Sequence, residues 1–501
     1  MAEQTTDVLV VGAGPTGLML VNCLAKLGVS ALLIDGKPGP TRESRALGVQ
    51  ARTMELYDQL GMADRVLARC TPARGVVPGY RGTAFRAVSL PALGGRVSPF
   101  PRMYVLEQSA NEELLVENLR RLGGEVRWNS ALLSLELLDG VRPVRAVLSD
   151  GSVRARFCVG TDGTSSLVRK LRGIPFEGET NPYTYFVLDG VRAQGIVPGH
   201  INIRMAPLDF LLAFPMGGED ARLLGVVRNP TGEAVAEEAV RPRLSDVFSV
   251  TYERARWFST YRVHHRIAAE FRDGPFFLAG DAAHVHSPVG AQGMNTGMQD
   301  AHNLAYKLGD VLTGRAGERS LDRYGAERRP VALRLVSTTD RIFGAVTSEH
   351  GLARFVRSRV MPVAGRFAVR VVPRLPFGAR LFSYLSQTRI HYWMSPEAEW
   401  ASRGRRGRVV GRRLRWSGEN FACLRSFTWQ VHAYSRALRS AAEATAARLG
   451  VDVQVFASPG FSAELRRDRL YLVRPDGFVA AAGSPAHALI RFATVLEQLR
   501  D

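Results

Sequence analysis

A glycine-rich turn between a buried strand and a helix constrains the fold of this chain most. Residues 7–11 end in four consecutive apolar side chains, a run typical of a buried strand. The run leads into Gly12-Ala13-Gly14-Pro15-Thr16-Gly17, and residues 18–27 follow with apolar side chains at helical spacing. A second apolar run, residues 31–34, ends at Asp35. This order predicts a Rossmann-like β-α-β unit that binds a dinucleotide.

Each glycine of the turn has its own physical reason. Gly12 permits a tight turn after the strand, Gly14 lets the backbone approach a pyrophosphate, and Gly17 lets the helix pack closely on the strand. The first N–H groups of the helix then face the phosphates. We expect the carboxylate of Asp35 to accept hydrogen bonds from a ribose.

Two acidic residues follow later strands. Asp162 comes after a predicted strand at 153–159, and Asp281 comes after the apolar run 276–279. Ligands of open α/β sheets bind at the carboxyl ends of the strands, so both carboxylates are expected in one crevice. The glycine-rich loop after Asp281 opens a predicted helix at residues 293–308, whose start can stabilise negative charge on a ligand.

Length and composition bound the remaining possibilities. A chain of 501 residues predicts two or three domains. No apolar run reaches 18 residues and no secretory signal is evident, so we expect neither stable membrane insertion nor export. Four widely spaced cysteines indicate reduced thiols and a cytoplasmic location. His284 and His286 lack a third ligand nearby, so no metal is predicted.

The net charge of +19 is concentrated in one segment. Residues 351–416 hold 15 arginines, no lysine and only Glu397 and Glu399 as acids, which gives this segment +13 of the total. Interleaved aromatic residues, typical of single-strand binding, are sparse there. We therefore expect solvated arginines on surface helices and no nucleic-acid partner. Docking to an acidic partner or a membrane surface is the less favoured alternative.

The segments together resemble the para-hydroxybenzoate hydroxylase-like family of FAD-dependent monooxygenases, especially its aromatic polyketide and phenol hydroxylase branch. The most specific segment is Leu278 to Lys307, LAGDAAHVHSPVGAQGMNTGMQDAHNLAYK. Further matching segments are residues 10–18, Ser44-Arg45-Ala46, Gln108 to Leu115, Cys158 to Arg169, Ser386-Gln387 with Tyr392, and residues 473–477. The resemblance spans nearly the whole chain.

The resemblance implies FAD as the bound cofactor and NADPH or NADH as a transient reductant. The implied arrangement puts Asp281 at the ribityl chain, Pro288 and Gly290 near the isoalloxazine ring, and the backbone N–H groups of Met294 and Asn295 at the pyrimidine edge. With the residues of the glycine turn, the full set expected to contact FAD is Gly12, Gly14, Pro15, Thr16, Gly17, Asp35, Arg45, Gln108, Asp162, Asp281, Pro288, Gly293, Met294 and Asn295.

The implied architecture is α/β with three domains. Residues 1–175 and 268–394 form a discontinuous Rossmann-like FAD-binding domain, and residues 176–267 form an inserted α+β substrate domain. The candidates for substrate contact, each more often plain core in such strands, are Tyr183, Tyr185, Phe210, Phe214 and Met216. After an arginine-rich linker at 403–413, residues 403–501 resemble a thioredoxin-like domain, with a first strand expected at 421–427.

Two departures from the family pattern bear on these expectations. Asp35 and Gly36 stand where relatives carry Glu and Arg, and a shorter carboxylate can still hold a ribose. The C-terminal region lacks C-x-x-C, and Cys423 alone cannot perform dithiol exchange, so this domain is expected to be structural or oligomeric, with a homodimer as one possibility.

The resemblance implies hydroxylation of an aromatic or polyketide-type small molecule with O₂ and NAD(P)H, through a flavin C4a-hydroperoxide, in secondary metabolism. Baeyer–Villiger or epoxidising oxygenation, including inactivation of an antibiotic, stays open as an alternative. So do a dehydrogenase or reductase whose flavin never oxygenates substrate and, from a different class, a flavin-binding scaffold without catalysis.

Overall fold

A computed structural model describes residues 3–41, 46–207, 209–227, 235–286, 292–347, 355–371, 377–392, 409–460 and 462–500 of the chain. Four sheets organise these residues. The first sheet runs in the order Leu132–Leu137, Val144–Leu148, Gly151–Gly160, Gln4–Val11, Ala31–Ile34 and Val126–Arg127, and Phe276–Leu278 and Arg272–Asp273 extend it beside Gly151–Gly160.

The parallel part of this sheet brings the predicted site segments to one edge. Gln4–Val11 pairs in parallel with Gly151–Gly160 and with Ala31–Ile34, and Phe276–Leu278 pairs in parallel with Gly151–Gly160. All four strands therefore end at the same edge of the sheet. Their apolar side chains are buried, apart from the partly exposed Ala31 and Leu32, because helices cover the sheet.

The helices of this unit start close to where the sequence pattern puts them. Pro15–Lys26 packs against Gly293–Leu312 and Gln108–Arg121, and proline at its first position suits a helix start, where no N–H partner is needed. The other helices here are Ala51–Gln59, Ala63–Arg69, Leu90–Gly94, Leu167–Leu171, Asp322–Thr347, Met361–Val371 and Phe377–Leu385. A small sheet of Gly48–Val49, Tyr104–Val105 and Thr71–Pro72 lies beside them.

The second sheet is mainly antiparallel and faces the first unit. Its order is His284–Val285, Arg254–Ala268, Phe176–Val191, Asp220–Val227, Phe210–Gly217, Ile201–Met205, Gly75–Tyr80 and Thr83–Ala84, with Val88–Ser89 beside Gly75–Tyr80. The helix Glu237–Phe248 covers one face. Residues 75–89 fall in the range predicted for the FAD-binding domain, and the three strands there pair with this sheet, since Gly75–Tyr80 lies parallel to Ile201–Met205.

The C-terminal unit is a four-stranded sheet with two helices. Its strand order is Asp452–Val455, Gln430–Ala433, Leu470–Val473 and Val479–Gly483, and its helices are Arg439–Leu449 and Pro485–Glu497. The expected strand at 421–427 is wrong: residues Ala422–Ser426 form a 3₁₀ turn, and the first strand is Gln430–Ala433. Phe421 and Leu424 instead fill a small core under that sheet. The predicted linker lies largely outside the described residues.

Candidate functional site

Two adjoining cavities lie at the carboxyl edge of the first sheet. One has a volume of about 390 Å³ and contains Gly12, Asp35 and Asp162 in its wall. The other has a volume of about 510 Å³ and reaches Asp281 and the second sheet. Gly14 and Thr161 line both, so the two form one elongated crevice.

The glycine turn is built as its sequence predicts. Gly12 adopts φ +104°, and a Cβ there would lie 2.6 Å from the carbonyl oxygen of Thr161. A Cβ on Gly17 would lie 2.0 Å from the carbonyl oxygen of Gly12, so helix and strand approach too closely for any side chain. Gly14 differs, because a Cβ there would meet nothing within 4 Å. The space beside Gly14 is open crevice at the start of a helix whose N-cap has no side-chain hydrogen bond.

Asp35 closes one end of the crevice. Its carboxylate accepts hydrogen bonds from the backbone N–H groups of Ala13 at 2.7 Å and Lys37 at 2.9 Å. These bonds tie the end of the second strand to the glycine turn and aim the carboxylate into the 390 Å³ cavity. Gln108 lines the other cavity and donates a hydrogen bond to the buried Glu112 at 2.9 Å.

Thr161 and Asp162 fix the middle of the crevice. The hydroxyl of Thr161 donates toward the carbonyl oxygens of Val11 at 2.9 Å and Gly12 at 2.7 Å. Asp162 Oδ2 accepts from the N–H groups of Leu167 at 2.6 Å and Val168 at 3.1 Å, which caps the helix Leu167–Leu171. Oδ1 of the same carboxylate is buried and has no hydrogen-bond partner among the residues that the structure describes. Burial raises the pKa of Asp162.

Asp281 differs from Asp162 because its side chain is exposed into the 510 Å³ cavity. Gly280 before it adopts φ +61° against the side chain of Thr16, and this fixes the turn. The side chain opens into a cavity inside the protein and not to bulk water, and this desolvation raises the pKa of Asp281, while nearby His284 acts in the opposite direction. A carboxylate placed in this way is available to a bound hydroxyl group.

A buried ion pair supports the Asp281 turn from behind. Asp300 lies 2.7 Å from Nε2 of His284 and accepts from Nε of Arg328 at 2.6 Å. Burial raises the pKa of Asp300, but Arg328 and His284 outweigh it and leave the pKa lowered. The side chain of His284 therefore has a structural role, because its Nε2 is held by the buried carboxylate of Asp300. Within the described residues, no group of three or more His, Cys, Asp or Glu side chains is arranged to hold a metal ion.

The helix Gly293–Leu312 starts at the cavity wall. Gly293 and Met294 line the cavity, and the N-cap residue Gln292 provides no side-chain cap. The side chain of Asn295 does not line the cavity. It accepts from the backbone N–H of Gln50 at 2.9 Å and donates to the carbonyl oxygen of Gly48 at 2.7 Å, which fixes the first turn of the helix.

Gln387 braces the same turn from the opposite side. Its amide donates to the hydroxyl of Thr296 at 2.7 Å and its oxygen accepts from Gln299 at 2.5 Å. Gln387 itself adopts φ +57°.

The second sheet supplies the opposite wall of the 510 Å³ cavity. Phe214, Leu224 and Tyr261 give this wall an apolar and aromatic surface, and Arg222 adds a cation. Arg222 donates to both oxygens of Asp189 at 2.5 and 2.6 Å and lies over the ring of Trp257. Sequence reasoning missed Arg222 and Tyr261, because nothing local distinguishes them and only strand register puts them on the cavity face.

The predicted substrate residues have different positions. Phe214 lines the cavity. The other four do not line it. Tyr185 and Phe210 belong to the same hydrophobic cluster as Phe214, and the partly buried Tyr183 and Met216 pack against that cluster. Tyr185 stacks on Tyr261 with ring centroids 5.7 Å apart. Their contact with substrate stays a prediction. The predicted residues Arg45, Pro288 and Gly290 lie outside the described residues.

The crevice fits a flavin dinucleotide. Its elongated form suits a two-part ligand, the open space at Gly14 leaves room for a pyrophosphate, and the uncapped starts of two helices offer N–H groups to anionic oxygens. Asp35 and Asp281 stand at opposite ends with carboxylates aimed inward. The buried, unpartnered oxygen of Asp162 calls for a donor that a ligand can provide.

Comparison with known proteins decides the family. Residues 5–339 match the model of the FAD binding domain family. The chain belongs to this FAD-binding family. The predicted family resemblance, the Rossmann-type fold class and FAD as cofactor are thereby confirmed.

Members of the family with curated names are similar over most of the chain. A 6-methylpretetramide 4-monooxygenase of Streptomyces rimosus is 35% identical over 407 residues, which cover 78% of this chain and 70% of the relative. A rifampicin monooxygenase of Streptomyces venezuelae is 35% identical over 69% of this chain and 72% of the relative. Among solved structures, a ternary complex of aklavinone-11 hydroxylase with FAD and aklavinone has a TM-score of 0.76 and 27% identity, covering 100% of this chain and 99% of that one.

Proposed function

We propose that this protein is an FAD-dependent monooxygenase that hydroxylates a fused-ring aromatic substrate of the polyketide type. The observation that carries the proposal is the continuity of the crevice. A cavity built for a dinucleotide opens without a break onto the apolar wall of Phe214, Leu224 and Tyr261. The similar proteins named for action on 6-methylpretetramide and rifampicin support a polycyclic substrate.

The overall reaction balances as substrate–H + O₂ + NAD(P)H + H⁺ → substrate–OH + NAD(P)⁺ + H₂O. Bound FAD supplies the redox chemistry that connects the reductant, oxygen and substrate. The protein binds and orients the two ring systems and excludes water from the space between them.

Each end of the crevice has a separate binding role. The groups around Gly14 and Asp35 hold the nucleotide half, since they offer free N–H donors and a carboxylate acceptor. Asp281 accepts from hydroxyl groups of the chain that links nucleotide and flavin. The N–H groups at Gly293 and Met294 favour negative charge at the cavity end of their helix.

The substrate wall combines a flat apolar surface with the cation Arg222. Phe214, Leu224 and Tyr261 offer flat apolar contact to a ring system. Arg222 is held rigidly by Asp189 and Trp257. We assign Arg222 the binding of an oxygen substituent of the substrate, because guanidinium donors fixed in this way favour carbonyl and phenolic oxygens.

A basic cleft next to the crevice suits the transient reductant. Arg169, Lys170, His264 and Arg266 contribute to a cavity of about 430 Å³, and Val285 lines both this cleft and the 510 Å³ cavity. The phosphates of NAD(P)H would therefore bind within reach of the flavin site. The described part of the chain offers a single glycine turn of the dinucleotide type, and FAD would occupy it.

The experiment uses the FAD-loaded protein with ¹⁸O₂. We expect NAD(P)H oxidation to accelerate with a fused-ring polyketide and the product to gain one ¹⁸O atom, as measured by mass spectrometry. Simple phenols serve as the comparison set. Accelerated oxidation that yields only hydrogen peroxide with every aromatic tested would contradict the hydroxylase assignment and favour a reductase.

A further inference from the structure

The helix at residues 355–371 exposes an apolar stripe. Val360, Val363, Phe367 and Val371 recur at spacings of three to four residues, so they share one face of the helix. With Phe355 at the helix start, these side chains are between 44% and 62% exposed. The other side of the helix packs on the second sheet, where Gly365 lies against the ring of Phe85. The stripe thus points away from the protein.

Arginines flank this stripe. Arg359, Arg370 and Arg380 are exposed, and the sequence holds no acidic residue and no lysine between Glu349 and Glu397. The positive charge of this segment by itself would be explained by solvated arginines on surface helices, as expected from the sequence. Solvation of arginines does not account for the large apolar side chains on the exposed face. An exposed apolar patch with a charged rim is typical of an interaction surface.

The charge pattern identifies the kind of partner. A second copy of this chain would bring Arg359 and Arg370 against the same arginines, with no acid in the segment to compensate. A convex helix also offers no groove for another chain. An anionic, deformable surface satisfies both features, because the apolar side chains enter it and the arginines contact its headgroups.

We propose that the stripe of residues 355–371 docks the protein reversibly on an anionic lipid surface. The docking is peripheral: no helix among the described residues combines the length and the apolar character needed to cross a bilayer. The helix lies in the plane of the headgroups, and the crevice with its apolar substrate wall is held near the membrane. This inference does not depend on the proposed reaction.

The test measures co-sedimentation of the full-length, FAD-loaded protein with vesicles. We expect binding to phosphatidylglycerol-containing vesicles at 50 mM NaCl, little binding to pure phosphatidylcholine, and release at 500 mM NaCl. F367D with V363D should lose most binding. R359Q with R370Q should weaken it about 25-fold, from about fivefold per arginine. I490D provides the matched control, since Ile490 is an equally exposed apolar side chain on the C-terminal helix.

Three outcomes would overturn the proposal. The first is equal vesicle binding by wild type and by F367D/V363D when both carry a full complement of FAD. The second is a concentration-dependent dimer in sedimentation velocity that F367D abolishes, without vesicle binding, which would assign the stripe to a second copy. Absence of binding to anionic vesicles at low salt also contradicts it and leaves an acidic protein as the partner.

Discussion

Arg474 of the C-terminal unit forms a two-pronged ion pair with Glu327 of the FAD-binding unit, with N–O distances of 2.8 and 2.9 Å. Both side chains are buried. Arg474 also contacts Asp476, whose other contacts include the hydroxyl of Tyr392 at 2.6 Å. The buried pair joins the two units beside Asn303 and Lys307, so the C-terminal unit packs against the middle of the helix whose start forms part of the cavity wall.

Removal of Arg474 should destabilise the whole protein. R474A takes the paired cation from the buried Asp476 and leaves Glu327 with Lys307 and Arg323 only, and we expect a loss of about 3–5 kcal/mol in the free energy of unfolding. Chemical denaturation of the FAD-loaded protein measures it. R466A is the control, because Arg466 pairs with Asp468 on the exposed surface of the same unit and its removal should leave the free energy of unfolding nearly unchanged. Equal effects of the two variants would refute the role of the buried pair.

The same pair predicts a specific acid sensitivity. Burial raises the pKa of Glu327, but Arg474 and Lys307 outweigh it and hold the pKa well below its usual value of 4.5. A depressed pKa in the folded state gives stability that is complete above about pH 4.5 and is lost as the pH falls further. E327Q should therefore be less stable at pH 7 and decline less steeply between pH 5 and 3. Parallel curves for wild type and E327Q in thermal unfolding would disprove this.

Two glycines of the turn should respond differently to alanine. At Gly14 the added Cβ meets nothing within 4 Å, so G14A should fold normally and lose FAD affinity, because the methyl group occupies the ligand's space. At Gly17 the Cβ would lie 2.0 Å from the carbonyl oxygen of Gly12, so G17A should lower the melting temperature of the apoprotein. Differential scanning fluorimetry and FAD titration separate the two effects. Wild-type FAD affinity in G14A would contradict our assignment of the crevice.

Asp281 should contribute to FAD affinity more than to folding. Its side chain is exposed into the cavity, so D281A leaves no buried partner unsatisfied. We expect FAD to bind about tenfold or more weakly, the loss typical of a hydrogen bond to a charged group. Flavin fluorescence titration measures it, and D273A, at the edge of the same sheet, is the control. A D281A protein that purifies fully loaded with FAD would remove Asp281 from the site.

Arg222 should affect substrate binding and leave FAD binding unchanged. R222K keeps the charge but loses the planar donor arrangement, and we expect the Kd for an oxygen-bearing aromatic ligand to rise about 10- to 100-fold. R192K, at an exposed pair on the same sheet, is the control. A parallel loss of FAD affinity in R222K would show that the residue supports the cavity as a whole and does not anchor substrate.

Local sequence patterns predicted the parts of the fold that depend on contacts between residues near one another in the chain. The glycine turn, Asp35, Asp162 and Asp281 could be predicted to lie at one crevice because close approach and strand-end position leave few residue types that fit, and the structure places them there. The expectation of a strand at 421–427 failed because an apolar run of that length fits a strand and a short turn equally well. Phe421 and Leu424 of this segment pack in the small core below the C-terminal sheet.

The sequence by itself determined the cofactor class and the parallel sheet that holds it, since those requirements act between neighbours in the chain. Only the tertiary structure decided that Arg222 lines the cavity while Tyr185, on the same face of the sheet, packs beside it against Tyr261, because the pairing of distant strands sets which side chains of that face reach the cavity. It also decided that Arg474 meets Glu327. That contact joins residues 147 positions apart, and no local pattern encodes such a distance.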